Sequence, residues 1–134
     1  TNLTQIDATG AFGTVTLSFA GAPNAVEYLG SQGNDVVTGN DTDGTSFNTG
    51  TGNDTVTDGA VDGDNVINTG AGADTVNSQA GNDTITTGTE GDTVNVTSTG
   101  LTNIDTGAGS DVIDFAAGTF DADIVGTNRD VVNG

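Results

Sequence analysis

The stretch Thr69-Gly-Ala-Gly-Ala-Asp74-Thr-Val-Asn77 decides the fold, because it returns along the chain. It recurs as Thr49-Gly-Thr-Gly-Asn-Asp54 and Thr106-Gly-Ala-Gly-Ser-Asp111. Looser copies read Gly30-Ser-Gln-Gly-Asn-Asp35, Thr87-Gly-Thr-Glu-Gly-Asp92 and Val125-Gly-Thr-Asn-Arg-Asp130. The closing Asp falls at positions 35, 54, 74, 92, 111 and 130, at spacings of 19, 20, 18, 19 and 19 residues. A fixed period in this range marks a repeat whose units cannot bury an apolar face alone and must stack on their neighbours. The spacing therefore predicts coils of a solenoid with the Asp residues in file along one edge.

Halving the period exposes a nonapeptide rhythm of apolar residues in two columns. One column reads Val37, Val56, Val76, Val94, Ile113, Val132, and the other reads Phe47, Ile67, Ile85, Ile104, Ile124. Alternate side chains of a strand point to opposite faces, so a short strand such as Thr75-Val76-Asn77 buries its middle residue and exposes both flanks. Two sheets of short strands then face each other across a thin core of stacked β-branched rungs. The predicted fold is all-β: a right-handed parallel β-roll or β-solenoid of about 19 residues per coil, with no helix of any length.

Residues 1–29 lack the repeated turn but alternate as Val15, Leu17, Phe19 against Thr14, Thr16, Ser18, which predicts N-terminal cap or lead-in strands. Pro23 marks a turn before Val26-Glu-Tyr-Leu29. Residues 30–134 are then the β-roll repeats, with a bulge or loop expected over Phe115–Ala122. The chain starts and stops in mid-pattern, as a processed or excised piece of something longer does.

The 134 residues suit one domain. They carry 19 acidic side chains against one basic one, Arg129, for a net charge of −18. Such a surface is a poor partner for nucleic acid. No apolar run approaches the ~18 residues of a membrane span. Composition alone, with 22 Gly and 32% hydrophobic residues, leans towards disorder, but the apolar residues are too regularly placed for that. An acidic chain without Cys suits a secreted bacterial protein that does not rely on disulfides. With no His, Cys or Lys, catalysis would need a carboxylate pair of separated pKa or a metal-activated water, and no pair stands out among the many similar Asp residues. An enzyme is not expected.

The turn chemistry favours a hard cation. Gly at the second and fourth turn positions permits φ > 0 and aims carbonyl oxygens inward, while Asp at the sixth supplies charge. Carboxylates ~4.8 Å apart repel by roughly 3 kcal/mol at an effective dielectric of about 20, so the file needs a counter-charge. Calcium takes six to eight oxygens in flexible geometry and can be shared between successive turns, whereas magnesium demands tight octahedra. Zinc prefers the His and Cys that this chain lacks.

These turns resemble the Gly-Gly-x-Gly-x-Asp-x-U-x nonapeptides of RTX (repeats-in-toxin) proteins, which form calcium-loaded parallel β-rolls. The resemblance covers residues 30–114, with a relaxed echo at 125–132. It implies several calcium ions held by Asp35, Asp54, Asp74, Asp92, Asp111 and Asp130, with turn oxygens around Gly33, Gly50, Gly52, Gly70, Gly72, Gly88, Gly107 and Gly109. Glu90 and Asn128 replace the fourth-position Gly, which leaves a side-chain oxygen or a weaker site there. On the opposite edge only Asp83 keeps the motif, where Thr45, Asn65 and Thr102 stand in the equivalent places. Asp41, Asp43, Asp58, Asp62 and Asp64 read as solvated loop charges.

The opening Leu3-Thr-Gln-Ile-Asp-Ala-Thr-Gly10 is similar to stretches that precede RTX repeats in bacterial surface-layer proteins and large secreted adhesins. The expected function is therefore an extracellular calcium-binding structural module of a bacterial cell surface, whose partners are calcium and copies of itself in a lattice or fibre. Ice binding or adhesion is the alternative, since flat solenoids with ordered Thr and Asn rows bind ice. The outward turn positions Gln32/Asn34, Thr51/Asn53 and Ala71/Ala73 do not repeat one pair, as a flat ice-facing array should.

Overall fold

The computed structural model describes residues 3–20, 25–40, 42–60, 63–97, 100–116, 122–126 and 131–133. Its strands are β1 (Gln5–Asp7), β2 (Thr16–Ala20), β3 (Glu27–Leu29), β4 (Val36–Asn40), β5 (Ser46–Asn48), β6 (Thr55–Thr57) and β7 (Val66–Ala71), followed by β8 (Thr75–Ser78), β9 (Thr84–Thr89), β10 (Thr93–Val96), β11 (Thr102–Gly107), β12 (Val112–Phe115), β13 (Ala122–Gly126) and β14 (Val131–Asn133). No helix occurs among the described residues, and none is long and apolar enough to cross a membrane. The odd-numbered strands form one seven-stranded sheet in the order β1-β3-β5-β7-β9-β11-β13, and the even-numbered strands form the other, from β2 to β14. Strand-to-strand pairing is parallel throughout. The chain thus crosses from sheet to sheet at every turn, which is the β-solenoid anticipated from the period.

The two apolar columns are the register of these sheets. Val37 pairs with Val56, Val56 with Val76, Val76 with Val94, Val94 with Ile113, and Ile113 with Val132. Phe47, Ile67, Ile85, Ile104 and Ile124 do the same in the facing sheet. The column members from Val37 to Ile113 are each at most 1% exposed. Burial of β-branched rungs against their own kind holds the stack at roughly 25 cal/mol per Å² of apolar surface removed from water.

The described residues before Gly30 continue the same pattern. Leu17 pairs with Val37, Tyr28 with Phe47 and Ile6 with Tyr28, so β1, β2 and β3 are outer rungs of the two sheets. Phe19 and Phe47 stack with ring centroids 5.9 Å apart. Their contact needs Gly39 between them, where an added Cβ would lie 2.7 Å from the Phe47 ring. Pro23 and most of the loop expected before Ala122 lie outside the described residues, though the β11–β13 pairing shifts register between Asp105 and Gly107.

Strands β7, β9 and β11 are longer than the three-residue strands expected, at six residues each. Each buries a second inward side chain beyond its Ile: Thr69, Thr87 and Thr106, all 0% exposed. This extra inward position carries the sheet into the repeated turn and places the site.

Candidate metal centre

The Asp file exists and points into the solenoid. Asp35, Asp54, Asp74, Asp92 and Asp111 are each at most 2% exposed. Each Asp from the second onward uses Oδ1 to accept the backbone N–H of the Asp one coil earlier. The distances are 2.7 Å for Asp35 N–H to Asp54, 2.8 Å for Asp54 N–H to Asp74, and 2.9 Å for both Asp74 N–H to Asp92 and Asp92 N–H to Asp111. The side chain of one coil therefore caps the turn of its neighbour, because the inward-facing Asp backbone has no strand partner at that corner.

Beside this file runs a column of buried threonines. The Thr49 hydroxyl donates to Thr69 O at 3.2 Å, Thr69 to Thr87 O at 3.1 Å, and Thr87 to Thr106 O at 3.1 Å. Sequence reasoning gave these residues no role, although Thr opens four of the six turns and that recurrence was the available signal.

The second carboxylate oxygen is where the geometry becomes informative. Oδ2 of Asp54, Asp74, Asp92 and Asp111 is buried with no hydrogen-bond partner. An anionic oxygen left so in a dry interior costs about 1–3 kcal/mol or more. Burial pushes the carboxyls of Asp54, Asp74 and Asp92 above their ordinary range, against the pull of the amide on Oδ1 and of a nearby threonine hydroxyl whose hydrogen goes to a carbonyl, and with the repulsion of neighbouring Asp residues. Arg129, the sole basic side chain, lies outside the described residues. Among the described residues no three acidic side chains converge on one point, so a cation beside this file would draw its remaining ligands from backbone oxygens.

The turn glycines supply that backbone. Gly50, Gly70, Gly88 and Gly107 at the second position, and Gly52 and Gly72 at the fourth, have positive φ. Glu90 takes φ +78° where the fourth-position Gly would stand, in the left-handed region a side chain rarely enters. Carbonyls of Gly50 and Gly88 accept amides of the next coil, Ala71 N–H at 3.1 Å and Ala108 N–H at 2.8 Å. They therefore run along the stack rather than only inward as expected, and each keeps a second lone pair for a ligand. Gly33 and Gly109 sit in equivalent turns and have ordinary φ.

Residues 59–94 match the family model of the RTX calcium-binding nonapeptide repeat, in four copies. No curated protein and no solved structure matches the chain. The matched segment holds the turns closing at Asp74 and Asp92 and the opposite turn closing at Asp83. It thus holds two of the four orphaned carboxylate oxygens, those of Asp74 and Asp92.

The opposite edge is wired differently. Asn65 Oδ1 accepts Thr45 N–H at 2.6 Å, and Asp83 Oδ1 accepts Asn65 N–H at 3.0 Å, so a second ladder runs there. Asp83 Oδ2 accepts the Ser78 hydroxyl at 2.5 Å, which leaves this carboxylate satisfied. Asp58 corrects an expectation: it is 3% exposed rather than solvated. Its oxygens accept Asn65 Nδ2 at 2.7 Å and Gln79 N–H at 3.0 Å, and burial raises its pKa to about 7, helped by the charge of Asp83. The turn signals around Asp58 concealed its inward position, two residues beyond Val56 on the same strand face. Asp43 and Asp64 are exposed as expected, and Asp41, Asp62 and Asp130 lie outside the described residues.

Proposed function

We propose that this chain is a calcium-stabilised structural module of an extracellular bacterial surface protein, non-enzymatic, whose ions line the edge carrying Asp54, Asp74, Asp92 and Asp111. The observation that carries the reading is the row of four buried Oδ2 atoms without partners. It lies within and beside a segment matching calcium-binding repeats. Oxygen-only donors suit calcium, and a cation there would reverse the burial penalty on each carboxylate. Glycine-turn carbonyls around Gly50, Gly52, Gly70, Gly72, Gly88, Gly107 and Gly109 would complete the shells, and Asp130 would extend the row.

Metal binding then supplies folding free energy directly, because the site exists only in the stacked coils. A secreted chain would stay unfolded at low cytosolic calcium and fold in millimolar calcium outside. Among the described residues, β1 and β2 at one end of the sheets and β13 and β14 at the other have a partner on one side only. Unpaired strand edges invite further pairing. Stacking of copies end to end is the mode of self-assembly we propose for a surface lattice or fibre.

Circular dichroism during a calcium titration tests the reading. The expected result is loss of β-structure in chelator and recovery with calcium, with magnesium much poorer at equal concentration. A β spectrum indifferent to excess chelator overturns it.

A further inference from the structure

Asp35 stands apart from the rest of its column. Its Oδ1 accepts the Ser31 hydroxyl at 2.5 Å and Val15 N–H at 3.1 Å. Its Oδ2 accepts Ser31 N–H at 2.7 Å and the Tyr28 hydroxyl at 3.0 Å. Four donors thus fill the carboxylate that is left half-empty at Asp54, Asp74, Asp92 and Asp111.

Both side-chain donors are peculiar to this coil. Tyr28 shares its column with Phe47, Ile67, Ile85 and Ile104, none of which carries a hydroxyl. Ser31 holds the second turn position that is Gly50, Gly70, Gly88 and Gly107 in the later coils. Tyr28 and Asp35 are 0% exposed and Ser31 is 4% exposed, so water does not fill the same role.

We propose that Tyr28 and Ser31 close the first position of the ladder to cations, so that Asp35 carries no ion and the row of ions starts at Asp54. The proposal rests on the calcium-binding reading above and sets where that binding begins. A cation reaching Asp35 meets oxygens already pointed at by hydrogens, and it must displace a buried tyrosine hydroxyl. Hydrogen bonds to the charged form stabilise the carboxylate as an ion would, without one. The Tyr28–Ser31–Asp35 cluster is then a metal-free plug, whose carboxylate is satisfied without a cation.

Counting bound calcium by equilibrium dialysis or native mass spectrometry tests this on the intact chain. Asp35→Asn is expected to bind as many ions as the unmodified protein, while Asp74→Asn binds at least one fewer. Tyr28→Phe combined with Ser31→Gly removes both hydroxyl donors, leaves Asp35 only the two backbone N–H groups, and is expected to bind one ion more. Loss of an ion in Asp35→Asn, alongside normal binding by the unmodified protein, overturns the proposal. An unchanged count in the Tyr28→Phe/Ser31→Gly variant overturns the role given to those two residues. An unmodified protein that binds no calcium overturns the ladder reading itself and the plug with it. Tyr28 is the single tyrosine in a chain without tryptophan, so its fluorescence adds a second readout. In calcium it is expected to change in Asp35→Asn, which alters the acceptor of the Tyr28 hydroxyl, and an emission unchanged in that variant overturns the plug alone.

Discussion

The backbone N–H of Asp74 donates to Asp92 Oδ1 at 2.9 Å, while Asp92 Oδ2 stays buried without a partner. Two roles that sequence treats as rivals therefore belong to the two oxygens of one carboxylate. Oδ1 does what turn aspartates ordinarily do and caps an amide. Oδ2 is the atom a cation would claim.

Truncating one rung separates these roles from surface charge. Asp74→Ala strips Asp54 N–H of its acceptor and removes one orphaned oxygen. It is expected to lower stability in calcium by at least about 1–3 kcal/mol and to cost bound calcium besides. Asp43→Ala, at an exposed position, is expected to leave both unchanged. Thermal melts and calorimetric titration read the difference; equal calcium losses in the two variants would mean the ion-binding edge is misassigned.

Glu90 holds a glycine conformation, with φ +78°. Left-handed backbone at a residue with a Cβ costs on the order of 1–3 kcal/mol. Glu90→Gly is expected to raise the midpoint of denaturation by about 1 kcal/mol equivalent, partly by removing a charge that repels Asp74. A drop in calcium affinity in the same variant would identify the Glu90 carboxylate as a ligand.

The metal-free protein should lose stability as pH rises. Asp58 has a folded pKa of about 7 against an ordinary value of 3.8, chiefly through burial, and Asp54, Asp74, Asp83 and Asp92 are raised in the same direction. Folding therefore favours their protonated forms, and the native state binds more protons than the unfolded one between about pH 4 and 7. That stability is present in full near pH 4 and is lost through pH 7. Circular dichroism in chelator at pH 5 and 8 is expected to show more β-structure in the pH 5 sample. With calcium the order should reverse, since a cation requires the ionised carboxylates.

Turn glycines differ sharply in what they tolerate. At Gly72, with φ +134°, an added Cβ would sit 2.0 Å from Gly52 O of the coil before. Gly72→Ala is expected to destabilise by at least about 2 kcal/mol through backbone strain and steric conflict. Gly10, where nothing lies within 4 Å of a Cβ, is expected to accept Ala with little change. Parallel chemical melts of the two variants check the contrast.

Period and hydrophobic pattern were enough to set the solenoid, its two sheets and the pairing of Val76 with Val94 or Ile67 with Ile85, because a rung of stacked coils repeats whatever its predecessor buried. They were also enough to pick out Asp54, Asp74, Asp92 and Asp111 as one chemical column. What no spacing could tell was the fate of each individual oxygen. Asp35 and Asp54 close turns of the same form, yet one carboxylate is filled by Tyr28 and Ser31 and the other keeps an empty lone-pair site. Asp58 likewise reads as a loop charge until β6 turns it inward against Asn65. Hydrogen-bond satisfaction depends on which groups of the same and of neighbouring coils meet inside the stack, from Ser31, four residues from Asp35, to Val15, 20 residues away. That is a property of stacking in three dimensions, which the tertiary structure alone decides.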